Sequence, residues 1–358
     1  MSRTIMIMAG GTGGHIFPAL AVAEHLRAQG WNAVWLGVRG GMEEGLIPPR
    51  GYTMAWIRFA GVRGRGPLAM ALLPFNLLVA FWQSARAIFA HRPDVVLGMG
   101  GYVSFPGAMM ASLLNRPLAI HEQNSVAGLA NRVLARLADQ VLTSFPQAFG
   151  ESTAVIWTGN PVRQEIVSTA PPEYRYAARA GLLRVLVLGG SQGAQVLNSV
   201  MPEALALLAP STRPRVVHQA GAGHDVAVRS GYQERGIAAE VVAFIDDMAA
   251  RYAETDVIVC RAGATTVAEI AAAGIASLLV PYPHSVDDHQ TINARFLADR
   301  GAALLIPQAE LTAQRLAEVL GGFTRERLLA MAQAARAAGR PDATRSVAQA
   351  CMELALQQ

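Results

Sequence analysis

The chain has little charge, few aromatic residues and almost no cysteine. Charged residues fill 16% of its 358 positions and aromatic residues 6%, while hydrophobic residues reach 52%. That balance excludes intrinsic disorder and calls for large buried cores, with some apolar surface left over. The two cysteines, Cys260 and Cys351, show no CxxC spacing, and residues 1–9 read as a strand with neither a long apolar h-region nor a cleavage site. A reduced, cytoplasmic protein is expected. The thirty basic residues are arginines, dispersed along the chain, and build no nucleic-acid stripe. The net charge of +4 still favours an anionic membrane surface or a phosphorylated substrate. No Asp-x-Asp occurs; Asp246-Asp247 and Asp287-Asp288 are adjacent pairs, poorly spaced for one shared metal, so no fixed metal cofactor is expected. The length suffices for two ordinary domains.

What is present is a pair of glycine-rich turns, one in each half. Ile5-Met6-Ile7-Met8-Ala9 runs into Gly10-Gly11-Thr12-Gly13-Gly14-His15, and Val185-Leu186-Val187-Leu188 into Gly189-Gly190-Ser191-Gln192-Gly193. A strand feeding a glycine turn and then a helix aims backbone N–H groups at one spot, backed by the positive end of the helix dipole, which suits phosphate. Neither turn has the dinucleotide spacing GxGxxG or a P-loop lysine, and a tight strand–helix turn also uses glycine without any ligand. His15 sharpens the first turn, because α/β ligands bind at the carboxyl ends of strands and an imidazole accepts a proton near neutrality. It also fits an unremarkable place near a helix start. Ser191 offers a phosphate oxygen a hydroxyl, or simply caps a helix.

Around these turns the chain alternates strand and helix. In the first half, strands are predicted at Thr4–Met8, Ala33–Leu36, Asp94–Gly98, Pro117–Ile120 and Gln140–Thr143. Helices are predicted at Pro18–Gln29, Ser104–Leu114 and Val126–Leu137. Gly159–Val162 reads as a linker. The pattern restarts with strands Arg184–Leu188, Arg215–Gln219, Glu240–Ala243, Asp256–Cys260 and Ser277–Val280, and helices Ala194–Leu208 and Thr265–Ala273. Buried apolar strands separated by helices mean parallel sheets, hence α/β class with two Rossmann-like domains, 1–160 and 164–340. The final helical run, Ala343–Leu356 within 342–358, is expected to return to the first domain.

Gly66–Ala85 contains no charged residue and is flanked by Arg58, Arg63, Arg65 and Arg86. Pro74, Asn76, Gln83 and Ser84 argue against a membrane span. A core helix of the first domain and an interfacial membrane contact both remain open.

Three further constellations carry polar chemistry. After the strand ending at Cys260, the residues Ala264, Thr265 and Thr266 open a helix whose amides face any anion placed there. Glu269, one turn beyond Thr265, is placed for ribose hydroxyls, or is an ordinary surface glutamate. His121-Glu122-Gln123-Asn124 and Asp287-Asp288-His289-Gln290 offer amides that suit sugar hydroxyls, or are ordinary polar loops. A departing diphosphate would be met by helix N-termini, Ser191 and Arg163.

Taken in order, Gly10–His15, Gly98–Tyr102, His121–Asn124, Gly159–Arg163, Gly189–Gly193, Phe244–Met248, Gly263–Glu269 and Asp288–Gln290 resemble the MurG family over nearly the full length. These are the bacterial UDP-N-acetylglucosamine:undecaprenyl-diphospho-muramoyl-pentapeptide N-acetylglucosaminyltransferases. The resemblance implies a GT-B fold with two Rossmann-like domains and the active site in a cleft. The first domain would face acceptor and membrane, and the second would bind UDP-sugar. It implies an inverting transfer from UDP-N-acetylglucosamine to the acceptor's C4 hydroxyl, in peptidoglycan synthesis, on the cytoplasmic side of the cell inner membrane. An undecaprenyl-linked lipid, the membrane surface and cell-wall and division proteins are the implied partners. Motif by motif, Thr12, Gly13 and Gly14 would approach the donor and the acceptor diphosphate. Asn124 and Gln290 would touch the N-acetylglucosamine, and Arg163 and Ser191 the donor phosphates. Backbone at Ile245 would read uracil, and Ala264, Thr265, Thr266, Val267, Ala268 and Glu269 would hold diphosphate and ribose. His15 would be the catalytic base. The competing readings are another GT-B enzyme of UDP-sugars, such as a glycolipid synthase or 2-epimerase, and a non-catalytic nucleotide-sugar-binding scaffold.

Overall fold

The computed structural model describes residues 2–59, 61, 70–151, 153–190 and 193–357; Arg63, Arg65, the Gly66–Ala69 start of the uncharged run, Ser191 and Gln192 lie outside the described residues. The chain forms two compact units: one runs to Arg163 and resumes at Pro341, the other is Gln164–Arg340.

The first unit holds strands β1 (Thr4–Met8), β2 (Asn32–Val38), β3 (Thr53–Ile57), β4 (Val95–Gly98), β5 (Leu118–Glu122), β6 (Gln140–Thr143) and β7 (Ile156–Trp157). They form one parallel sheet in the order β3-β2-β1-β4-β5-β6-β7. Alternation along β1 sends its side chains into two cores. Ile5 and Ile7 pack with Ile16, Val22 and Leu26 of the helix Gly13–Ala28 and with Val347, Cys351 and Leu354 of the helix Ala343–Leu356. Met6 and Met8 pack on the other face with Ala87 and Ile88 of the helix Leu73–His91 and Ala108 and Ala111 of the helix Ser104–Leu113. Covered on both faces, β1 is apolar throughout its buried length. The last helix thus completes the core of a sheet begun more than three hundred residues earlier.

The second unit repeats the plan with β8 (Arg184–Leu188), β9 (Arg215–Gln219), β10 (Ala239–Val242), β11 (Val257–Cys260), β12 (Ala276–Leu279) and β13 (Ala303–Leu305). Its parallel order is β10-β9-β8-β11-β12-β13. Equivalent latches hold the two central strand pairs. Thr4 N donates to Asp94 Oδ2 at 2.6 Å, and Arg184 N donates to Asp256 Oδ2 at 2.7 Å. Each sheet changes its direction of growth at one point, between β1 and β4 and between β8 and β11. There the loops at the carboxyl ends diverge and leave room for ligands.

One expectation is corrected, and one open alternative is narrowed. Gly159–Val162 is not a loose linker: these residues are buried, Gly159 O accepts from Thr158 Oγ1 at 2.9 Å, and Val162 O accepts from Thr344 Oγ1 at 3.1 Å. The described part of the apolar run is not a core helix in the ordinary sense. The helix Leu73–His91 buries only Ala80, Ser84, Ala87 and Ile88, while Phe75, Leu78, Trp82 and Phe89 are each more than 60% exposed. Among the described residues no helix is long and apolar enough to cross a membrane.

Candidate active site

In the first unit, the residues singled out from sequence gather at the carboxyl ends of β1, β4, β5 and β7. The helix after β1 starts at Gly13, with Thr12 in extended backbone before it and Ile16 N donating to Thr12 O at 3.2 Å. Thr12, Gly13, Gly14 and His15 therefore form its first turn. Ser104 Oγ lies 2.7 Å from Met8 O and 2.6 Å from Gly100 O, tying the ends of β1 and β4 together. Gly100 and Gly101 have φ of 88° and 80°, which favours glycine. A Cβ at Gly100 would stand 2.8 Å from His15 Nδ1, and one at Gly101 would collide with the Gly10 carbonyl.

His15 is partly exposed, and its Nδ1 lies 2.8 Å from Gln123 Oε1. Gln123 Nε2 lies 3.0 Å from His121 Nδ1, and His121 Nε2 lies 3.0 Å from Gly159 O. His121 is fully buried, and desolvation pushes its pKa down to about 4 against the opposing bond to Gly159. Asn124 is held by Glu122, whose Oε1 accepts its backbone N–H at 2.9 Å and its Nδ2 at 3.3 Å. The Arg163 guanidinium lies over the Phe17 ring at 5.4 Å, beside the first turn of the same helix. Below the glycine turn, the fully buried Glu43 accepts from Gly11 N at 3.3 Å and Val38 N at 3.1 Å.

In the second unit the singled-out residues lie at the carboxyl ends of β8, β10, β11 and β12. Leu188 pairs with Cys260, so the turn after β8 and the helix start after β11 are neighbours. The helix Ala264–Ala273 has Gly263 at its cap position, and its first internal bond runs from Val267 N to Gly263 O at 2.9 Å. Ala264, Thr265 and Thr266 therefore occupy its first turn, where backbone N–H groups and the helix dipole favour anions. After β8, Ala194 rather than a serine occupies the cap position of the helix Gln195–Ala206, and Ser191 lies outside the described residues. Glu269 is almost fully buried rather than a surface residue, and Tyr252 Oη donates to its Oε2 at 3.0 Å. Val267 is buried on the same helix and Ala268 is partly exposed. Gln290 Oε1 accepts from Tyr282 N at 2.9 Å, which ties it to the chain after β12. The preceding Asp287 and Asp288 both have left-handed φ, 52° and 50°, a strained pair in a loop that presents polar groups. Ile245 is buried after β10, and Asp247 Oδ1 accepts from Ala250 N at 2.9 Å to cap the next helix.

From the sequence alone His121 and Gln123 read as loop polarity, and nothing there marks Glu43 or Tyr252. Period-two alternation from β5 puts 121 and 123 on one side of the chain, a signal that was available. Glycines at 10, 37 and 41 all leave room for the Glu43 side chain.

Two Rossmann-like units with anion-suited helix starts on their carboxyl edges, and an imidazole beside one of them, define a nucleotide-sugar glycosyltransferase of the GT-B fold. The chain matches the glycosyltransferase family 28 N-terminal domain over residues 5–143 and the family 28 C-terminal domain over residues 184–347. It is 58% identical over 354 residues to the UDP-N-acetylglucosamine–N-acetylmuramyl-(pentapeptide) pyrophosphoryl-undecaprenol N-acetylglucosamine transferase of Nitrosospira multiformis, covering 99% of both chains. It is likewise 58% identical over 354 residues to the transferase of the same name from Cupriavidus metallidurans, again with 99% of each chain covered. The crystal structure of Acinetobacter baumannii MurG superposes with a TM-score of 0.84 at 39% identity, over 98% of this chain and 99% of that one. The chain belongs to the MurG family of glycosyltransferases.

Proposed function

We propose that the chain transfers N-acetylglucosamine from UDP-N-acetylglucosamine to undecaprenyl-diphospho-N-acetylmuramoyl-pentapeptide, converting lipid I to lipid II in peptidoglycan synthesis. The observation that carries this reading is 58% identity across essentially the whole of relatives with that activity in their names. The reaction is an inverting displacement. The muramoyl C4 hydroxyl attacks the anomeric carbon, His15 takes its proton, and UDP leaves from the opposite face. The second unit holds the donor. Diphosphate lies at the Ala264–Thr266 helix start, with Ser191 as a further contact, ribose on Glu269, and uracil on the Ile245 backbone. Val267 and Ala268 belong to the same helix wall. Asn124 and Gln290 contact the sugar, Arg163 the donor phosphates, and Thr12, Gly13 and Gly14 the donor and the acceptor diphosphate.

The departing charge is met by helix starts and arginine rather than by a fixed metal. The lipid acceptor requires work at a bilayer. We assign the membrane contact to the exposed apolar stripe Phe75, Leu78, Trp82 and Phe89, with Arg86 beside Trp82, on the cytoplasmic face of the inner membrane. A transfer assay with radiolabelled UDP-N-acetylglucosamine and a short-chain lipid I analogue tests the activity. Labelled lipid and acceptor-dependent UDP release are expected, unchanged by chelator. UDP release or sugar epimerisation without acceptor would overturn the reading, and loss with chelator would overturn its metal-free form.

A further inference from the structure

The hydrogen bonds behind His15 can be given directions. Gly159 O is a carbonyl and only accepts, so His121 Nε2, 3.0 Å away, carries a proton. His121 is buried and neutral, pushed down to about 4 by desolvation, so its Nδ1 bears a lone pair. Gln123 Nε2 lies 3.0 Å from that nitrogen and 3.2 Å from His121 O. Two acceptors at one end fix which end of the amide is NH2. Its oxygen therefore faces His15 Nδ1 at 2.8 Å, and an amide oxygen only accepts. His15 Nε2 makes no hydrogen bond among the described residues.

We infer that His121 and Gln123 are positioning residues that hold neutral His15 as its Nδ1–H tautomer, leaving the Nε2 lone pair as the proton acceptor. The inference rests on the reading of His15 as the base. The acceptor hydroxyl gives its proton to Nε2 as its oxygen bonds the anomeric carbon, and the electron pair of the broken sugar–phosphate bond leaves with UDP. The imidazolium formed keeps its Nδ1–H on Gln123 Oε1. An amide cannot take that proton onward, so it is Nε2 that must later release one. A neutral amide behind the ring fixes the tautomer without adding the full charge that a carboxylate would place there. Neither residue need touch substrate.

The test begins with the unaltered full chain, so it does not depend on a variant folding. Long-range proton–nitrogen correlation NMR on histidine-labelled protein, above the titration range of imidazole, reads each tautomer directly. His15 is assigned by the signal lost in His15→Gln. We expect a pyrrole-type Nδ1 and a pyridine-type Nε2 at His15, and the reverse at His121. A His15 proton on Nε2 overturns the inference. Gln123→Met should then shift His15 toward a tautomer mixture and lower kcat by roughly tenfold or more, with KM for UDP-N-acetylglucosamine within about twofold. Gln123→Glu keeps an acceptor oxygen toward His15 but loses the donor to His121 Nδ1, so it should keep the His15 Nδ1–H signature while kcat stays below that of the wild type. An unchanged His15 tautomer in Gln123→Met removes the positioning role. Full activity of His15→Gln alongside the expected wild-type tautomer instead removes His15 as the base, so the two failures are distinguishable.

Discussion

One ring nitrogen of His15 is engaged by Gln123, and the other, the proposed proton acceptor, makes no hydrogen bond among the described residues. His15→Ala should therefore lower kcat by roughly a hundredfold or more while leaving donor binding nearly intact. Steady-state kinetics checks this, and turnover within a fewfold of wild type would dismiss the assignment. Glu269 poses the opposite case. Its Oε2 accepts from Tyr252 Oη in a buried setting, which orients the carboxylate proposed to hold ribose. A hydrogen bond to a charged group contributes about 1.5–3 kcal/mol, so Glu269→Ala should raise the donor's KM roughly tenfold to a hundredfold with a smaller change in kcat. Calorimetric titration with UDP is the direct check, and unchanged affinity would end the ribose reading. His15 was legible in the sequence because it directly follows a glycine turn at the end of an apolar strand. Its partner was not, because Gln123 lies 108 residues away and the sheet order β1-β4-β5 brings the two together.

At the scale of an element, the helix Leu73–His91 is set by which residues it hides. Small side chains, Ala80, Ser84 and Ala87, let it lie close to the sheet with Ile88, and Phe75, Leu78, Trp82 and Phe89 point to solvent. Replacing Phe75, Leu78 and Trp82 together by serine should leave the thermal midpoint nearly unchanged, since none of the three supports the core. The same change should weaken binding to anionic vesicles at least tenfold, because burying a large apolar side chain contributes about 1.5–3 kcal/mol. Co-sedimentation at two salt concentrations reads this out, and undiminished vesicle binding would relocate the membrane contact. The absence of charge along this segment was plain in the sequence, but which face is covered depends on neighbours that the sequence does not order. The central strands were legible for the same physical reason they are stable: doubly covered parallel strands such as Ile5–Met8 and Val257–Cys260 are continuous apolar runs. The edge strands β3, β7 and β13 escaped, being short or half-exposed, as did the burial of Gly159–Val162, which depends on Thr344 arriving from the far end of the chain.

Over the whole molecule, each unit contains one deeply buried neutral histidine and one buried cysteine. His121 and Cys351 belong to the first unit, His218 and Cys260 to the second. His218 Nδ1 lies 2.8 Å from Tyr232 Oη and its Nε2 lies 3.1 Å from Asn198 Oδ1. Desolvation pushes both imidazoles down to about 4, whereas in the unfolded chain they return to the ordinary value near 6.5. Between those values the unfolded state binds protons that the native state refuses. Stability therefore falls as pH drops from about 6.5 toward 4, and these two groups contribute no pH dependence above that window. The full penalty is on the order of 3 kcal/mol for each histidine. Burial also raises both thiols, Cys351 to about 12, so neither reacts until its own unit opens. Incubation in a urea series at pH 7.5 or 5, followed by a short alkaline labelling pulse, should show both cysteines becoming reactive at lower urea after the acid incubation. In His218→Gln the acid shift of Cys260 should shrink while that of Cys351 persists. An equal acid shift of Cys260 in wild type and variant would mean that protons destabilise the second unit through some other group.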